Sequence, residues 1–251
     1  MSAVRIGADS AAGTGADGTA GTRADSAAGI GAMLVTSRSF EEYVAMFALG
    51  TADLSGTVLD CPAGASSFTA GAHRVGTRAT ACDIAYGNPR AVLDSLRPEV
   101  ERGNRYIAAH PDGYSDRFFG GPAEHLAHRL AAAELFTHDF LARPESYVHA
   151  ALPELPFDDR SFDLVLSSHL LFSYADRLDV ETHLVYLTEL LRVARDQIRI
   201  FPLVPTGSSA RYPQLGELRE LLGARGVDTT VTEVDYEFQR GGTEMLVCRR
   251  R

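Results

Sequence analysis

Three stretches of this chain carry residues whose types and spacing suit binding and group-transfer chemistry. The first, Asp60-Cys61-Pro62-Ala63-Gly64-Ala65-Ser66-Ser67-Phe68, is a tight turn of small residues. Its backbone can approach a ligand closely, and its serines can cap a following helix. Asp83 comes about 20 residues later, near the offset at which an acidic side chain meets ribose hydroxyls in mononucleotide-binding folds. A carboxylate accepts two hydrogen bonds from a vicinal diol, so the turn and Asp83 together suit a nucleoside-containing ligand better than either does alone. The third stretch runs from Leu155 to His169 and ends in Ser167-Ser168-His169. His169 is the candidate general base, because imidazole titrates near neutral pH; the competing reading is a packed or helix-capping histidine. His125 and His128 lie three apart on an expected helix and read as an exposed pair, so no metal is assigned.

The elements that must position these groups follow from the apolar pattern. Ser39-Phe40-Glu41-Glu42 matches a capping box and opens a short amphipathic helix through Tyr43, Val44, Met46, Phe47 and Leu49, closed by Gly50. Beyond it, short apolar runs alternate with longer helical segments, the pattern of a parallel sheet wrapped by helices. Strands are expected at 57–61, 78–83, 147–150, 162–168 and 197–204, with helices at 66–75, 178–193 and 215–224. Two final β segments, 228–238 and 243–249, flank Gly241-Gly242 and read as a hairpin. The stretch from Pro89 to Arg143 is helical in composition and longer than a plain crossover needs. Residues 1–32 are almost entirely Ala, Gly, Thr, Ser and Asp, too poor in large apolar groups to offset the entropy of ordering, and are expected to form a disordered tail. The folded domain is therefore expected over 33–251, with a helical insert at about 89–143. In such a sheet, ligands bind beyond the carboxyl ends of the strands, where the strand order reverses.

Composition narrows the chemistry. All 24 basic residues are arginine, which excludes a Schiff-base lysine and a P-loop lysine. A net charge of -9 disfavours a protein that neutralises many nucleic-acid phosphates, and a small-molecule substrate is expected instead. Cys61, Cys82 and Cys248 form no CxxC pair and no disulfide framework. No apolar run reaches the length of a membrane span, and the N-terminal residues lack a signal-peptide core, so a cytoplasmic protein without membrane contact is expected. Homodimerisation is left open.

The segment Leu155-Pro156-Phe157-Asp158-Asp159-Arg160-Ser161-Phe162-Asp163-Leu164-Val165-Leu166 resembles the "LPF, acidic turn, SFD, apolar strand" segment of class I S-adenosylmethionine-dependent methyltransferases. The turn from Asp60 to Ser66 resembles the glycine-rich first motif of that superfamily, and Asp83 its acidic residue after the second strand. The resemblance implies a Rossmann-like three-layer α/β sandwich, with a mostly parallel seven-stranded sheet and a reversed terminal strand. It implies S-adenosyl-L-methionine as cofactor and methyl transfer as activity. Asp60, Pro62, Ala63, Gly64 and Ser66 would form the turn against the aminoacyl end of the cofactor. Asp83 would hold the ribose, Ile84 and Leu152 would cover the two adenine faces, and Ser167, Ser168 and His169 would line the floor near the methyl donor. The helix bearing Tyr43 and Met46 would act as a cover. Pro62 and Ser66 stand where the family commonly has outer glycines, and Ala151 where it often has an aspartate.

A nicotinamide dehydrogenase would want G-x-G-x-x-G after the first strand, and an α/β-hydrolase a second glycine after Ser66; neither is present. The serious rival is a protein that binds S-adenosylmethionine on the same fold without transferring a methyl group. Tyr106, Tyr114, Arg117, Phe118, Phe119, Arg211, Tyr236 and Arg240, from the insert and the hairpin, suit a planar or anionic acceptor.

Overall fold

The computed structural model describes residues 34–251, so the tail expected at 1–32 lies outside the described residues. Six α-helices, α1 (Phe40–Met46), α2 (Phe68–Arg74), α3 (Pro89–Ala109), α4 (Pro122–Ala142), α5 (Val180–Val193) and α6 (Leu215–Gly223), surround a single sheet. Its strands are β1 (Thr57–Asp60), β2 (Arg78–Asp83), β3 (Tyr147–His149), β4 (Phe162–Ser168), β5 (Ala194–Phe201), β6 (Val227–Glu233) and β7 (Glu244–Arg250). They lie in the order β3-β2-β1-β4-β5-β7-β6. β1 pairs in parallel with β2 and β4, as do β2 with β3 and β4 with β5, whereas β7 runs antiparallel to both β5 and β6. This is the Rossmann-like architecture with a reversed terminal strand.

Strict alternation along the central strands builds two cores, one on each side of the sheet. Leu59, Val165, Ile198, Ile200, Leu246 and Cys248 pack with Leu184, Leu187 and Leu191 of α5 and Leu218 and Leu222 of α6. The intervening residues Val58, Leu164, Leu166, Met245 and Val247 pack on the other side with Tyr43, Met46 and Phe68 of α1 and α2. A third cluster, with Tyr86, Val92, Leu96, Phe136 and Phe140, joins α3 to α4 beside β3. The segment expected as a helical insert is thus two 21-residue helices.

Several boundaries differ from the expectation for reasons visible in the packing. α1 has the full capping box, with Ser39 Oγ accepting from Glu42 N–H and the Glu42 carboxylate accepting from Ser39 N–H, but it stops at Met46. Ala48, at φ 47°, makes the left-handed turn that Gly50 was expected to make, and Leu49 then turns back into the core. β5 begins directly from α5 at Ala194 and ends at Phe201. β6 stops at Glu233 instead of reaching Phe238, because Tyr236 and Phe238 leave the sheet edge to pack in the α1 layer. The expected hairpin exists as the β6–β7 pair, but its connection reaches across the top of the molecule.

Candidate active site

The strand order reverses at β1, whose two parallel neighbours β2 and β4 depart in opposite directions. A cavity of about 910 Å³ opens at the carboxyl ends of these strands. Its wall contains Cys61 to Gly64 after β1, Asp83 to Ala85 after β2, His149 to Glu154 after β3, and Ser168 to Leu170 after β4. Residues 34–38, ahead of α1, form the remaining side with parts of α3, α4 and the β6–β7 connection.

The first turn is locked to that N-terminal segment by its backbone. Ala65 N–H donates to Thr36 O at 3.2 Å and Ser67 N–H to Arg38 O at 2.8 Å. Gly64 sits at φ 57°, in the left-handed region that favours glycine, and a Cβ there would make a tight 3.3 Å contact with Thr36 O. Tyr86 Oη donates to Gly64 O at 2.7 Å from beneath.

Asp83 lies at the end of β2 with 9% of its surface exposed, on the cavity wall. Oδ2 accepts from Gly64 N–H at 2.8 Å and Oδ1 from Ala85 N–H at 2.9 Å, so the carboxylate staples the first turn to the second. Each oxygen keeps a further lone pair, which is what a vicinal diol requires. Burial raises the Asp83 pKa above the usual carboxylate value, while the two N–H groups pull it back. Ile84, 54% exposed, and the partly buried Leu152 offer apolar surface on the wall nearby. Asp83, Ile84, Leu152, Pro62, Ala63, Gly64, Ser168, His169 and Tyr43 are thus brought to one cavity.

Three expected site residues stand behind the wall instead. Asp60 is fully buried, accepting from Tyr43 Oη at 3.1 Å and Ser66 Oγ at 3.0 Å. Burial pushes its pKa up to about 8 even though both hydroxyls act to lower it. Asp60 and Ser66 therefore brace the turn and the base of α1, and neither reaches the cavity. Ser167 alternates to the opposite side of β4 from the wall residue Ser168, and its Oγ has no hydrogen-bond partner among the described residues.

His169 reaches the cavity with its backbone at φ 52°. Its N–H donates to Phe201 O at 2.7 Å, its Nδ1 lies 2.8 Å from Ser168 Oγ, and its ring packs edge-on against Phe201. Burial, Arg38 and Arg129 together hold its pKa well below the ordinary imidazole value. The neutral ring is therefore the resident form, in contrast to the neutral-pH titration expected for a general base.

A buried polar cluster backs the opposite wall: His125, expected in an exposed pair, is 5% exposed and lines the cavity with Arg38 and Arg129, while Glu42 and Tyr236, the latter expected at the acceptor pocket, stand behind them. Glu42 is fully buried and pairs through both oxygens with the Arg129 guanidinium, and Tyr236 Oη donates to Glu42 Oε1 at 2.8 Å. Arg129 Nη1 also donates to Ser37 O at 3.0 Å and its Nε to His125 Nε2 at 3.1 Å. His125 stacks on Phe238 at 4.8 Å and 8°, and burial with Arg129 holds its pKa down at about 3. Arg38 lies beside them, 6% exposed. The arginines expected at the acceptor pocket are elsewhere: Arg117 pairs with Asp235, Arg211 with Glu244, and Arg240 donates to Asp112 O, all at exposed positions. The capping box signalled Glu42 as a helix start; nothing local signalled its partners.

Residues 123–197 match the family model described as "Methyltransferase domain". The chain is 27% identical over 220 residues to MJ0045, an uncharacterized protein of Methanocaldococcus jannaschii, covering 86% of this chain and 96% of that one. Among solved structures, it is similar to magnesium protoporphyrin IX methyltransferase from Synechocystis, solved with bound SAM, at a TM-score of 0.45 and 14% identity, over 84% of this chain and 78% of that one. A 1,6-didemethyltoxoflavin-N1-methyltransferase from Burkholderia thailandensis aligns at a TM-score of 0.42 and 18% identity, over 84% and 80% of the two chains. No described helix is long and apolar enough to cross a membrane.

Proposed function

We propose that this chain, with its Rossmann-like sheet and its methyltransferase-domain match, binds S-adenosylmethionine and transfers the methyl group to a small-molecule acceptor. One observation carries the reading: the small-residue turn, Asp83 and the β4-end residues converge on a single cavity where the strand order reverses. The residues fit the cofactor. Asp83 retains lone pairs for the ribose diol, Ile84 and Leu152 supply apolar surface for a planar base, and Pro62, Ala63 and Gly64 present the turn to the aminoacyl end. Bound there, the cofactor supplies a sulfonium-activated methyl group.

The chain's own contribution is positioning and exclusion of water. Such a transfer gains chiefly from holding the acceptor atom in line, and a walled cavity does this without a charged base. Neutral His169, oriented by Ser168 Oγ and by its backbone bond to Phe201, offers a hydrogen-bonding edge at the acceptor end. Pro62 and Ala151, which depart from the family's pattern on the cavity wall, favour as a second reading S-adenosylmethionine binding without methyl transfer; turnover against a panel of small-molecule acceptors separates the two.

Calorimetry with S-adenosylhomocysteine is expected to give a micromolar Kd, about -8 kcal/mol. No heat and no thermal shift at millimolar ligand would exclude the reading. The pH dependence of kcat is expected to be flat between about pH 6 and 7, below the Asp60 pKa of about 8, because His169 does not acquire a proton there. An inflection near the free-imidazole value of about 6.5 that vanishes in His169→Asn would show otherwise; asparagine is chosen because it tolerates the left-handed backbone at 169.

A further inference from the structure

Around the Glu42 cluster, residues that line the cavity carry buried hydrogen-bond donors without acceptors. Arg38 Nε and Nη1 have no hydrogen-bond partner among the described residues, although the side chain is only 7% exposed. Its nearest carboxylate oxygen, Glu42 Oε1, stands 3.6 Å from Nη1 and is already taken by Arg129 and Tyr236. His125 Nε2 accepts from Arg129 Nε–H, so the proton of the neutral ring must sit on Nδ1, and that N–H is also without a partner. The hydroxyls of Ser37 and Ser173, both on the wall, lack partners as well, against one unmatched acceptor, Asn104 Oδ1.

The charges do not balance either. Two guanidiniums, Arg38 and Arg129, face one carboxylate, Glu42, and both nearby histidines are held neutral. The other carboxylates on the wall are committed elsewhere or solvated. Asp83 holds two backbone N–H groups, Glu99 binds Arg102 and Val35 N–H, and Glu154 is exposed. A buried cation with unmatched donors is costly unless an anion joins it. The charge of Arg38 acts on His169, on Tyr114 from the α3–α4 connection, on Tyr236 from the β6–β7 connection and on Tyr43 of α1.

Resting on the methyl-transfer reading above, we propose that the acceptor is a carboxylate-bearing aromatic small molecule whose acid group docks on Arg38 Nε and Nη1 and His125 Nδ1. The guanidinium fork suits the planar carboxylate. Tyr106, Tyr114 and Phe238 line the same cavity and provide flat surfaces for the ring.

The test uses the full chain and a panel of aromatic acids (benzoate, 4-hydroxybenzoate, indole-3-acetate and 2-naphthoate), each beside its primary amide, with and without S-adenosylhomocysteine. At least one acid is expected to bind the wild type at least tenfold tighter than its amide, and Arg38→Gln is expected to erase that preference. Arg38→Lys, which keeps the charge and loses the fork, should retain part of it. Ligand-free Arg38→Gln is expected to melt close to the wild type, since the loss of its 3.6 Å pairing with Glu42 is offset by removal of a desolvated guanidinium; a structural Arg38 would show a drop of several degrees. Such a drop, equal binding of acids and amides, or no binding by any acid would overturn the proposal. Arg38→Gln should leave S-adenosylhomocysteine affinity unchanged; a tenfold loss there would assign the anion to the cofactor's own carboxylate and overturn the acceptor assignment. The cofactor-free titrations read acid binding even if the chain fails to bind S-adenosylhomocysteine, so the two failures are distinguishable.

Discussion

Alanine at position 83 is expected to weaken S-adenosylhomocysteine binding by about ten- to a hundredfold and to lower the stability of the ligand-free protein as well. The affinity loss follows from a diol left without its charged acceptor, about 1.5–3 kcal/mol. The stability loss follows from the staple. Asp83 holds Gly64 N–H and Ala85 N–H at 2.8 and 2.9 Å, and its removal leaves two poorly solvated donors, at about 1–3 kcal/mol each. From sequence alone, a strand-end carboxylate facing a ligand cleft would be dispensable for folding; its two backbone bonds correct that view. Asp83→Asn keeps an acceptor for one of the two donors and should lose less on both counts. Calorimetry and urea unfolding on the same variants measure the two effects, and an Asp83→Ala protein with unaltered affinity would place the ribose elsewhere.

Glu42→Ala is expected to be the more damaging change to the fold, by about 3–5 kcal/mol, because it strands two buried guanidiniums. Tyr236 Oη and the capping bond to Ser39 N–H are lost with it. A double variant, Glu42→Leu with Arg129→Met, should be less destabilised than Glu42→Ala, since it removes both members of the tightest pair. Burial alone raises the Glu42 pKa, but Arg129 and Arg38 more than offset it and bring the group down to about 2 from an ordinary value of 4.5. The folded-state pKa is thus depressed. Its contribution is fully present above about pH 4.5 and is lost as pH falls from there through about 2. Urea unfolding at pH 7, 4 and 3 should show the wild type losing stability over this range and Glu42→Ala losing less.

The sheet was readable from the chain because its strands alternate between two buried faces: Val58 against Leu59, Leu164 against Val165, Met245 against Leu246. Elements stopped where long-range packing overruled that pattern. The alternation through Phe238 suggested strand to its end, but Phe238 serves the cavity wall and Tyr236 packs in the α1 layer rather than on the sheet edge. The cofactor half of the site was legible for the same reason that turns are: small residues and a strand-end aspartate act locally. The acceptor half was not. Arg38, Glu42, His125, Arg129 and Tyr236 are ordinary surface residues in composition, and only tertiary contact makes a buried cluster of them. Asp60, with the typing of a ligand contact, instead accepts hydroxyls from Tyr43 and Ser66 behind the wall.

The sequence separations in the Glu42 cluster set a timetable for synthesis. Glu42 leaves the ribosome 87 residues ahead of Arg129 and 194 ahead of Tyr236, the two side chains that hydrogen-bond its carboxylate. Over those first 87 residues this carboxylate must stay hydrated, because burying it before Arg129 emerges would strand a charge. The parallel core of β1, β2 and β4 can assemble from the first two-thirds of the chain, but the acceptor wall waits for the connection that carries Tyr236 and Phe238. The pocket is therefore finished last, and a nascent chain interrupted before residue 236 carries the nucleotide-side loops without the chamber that faces them.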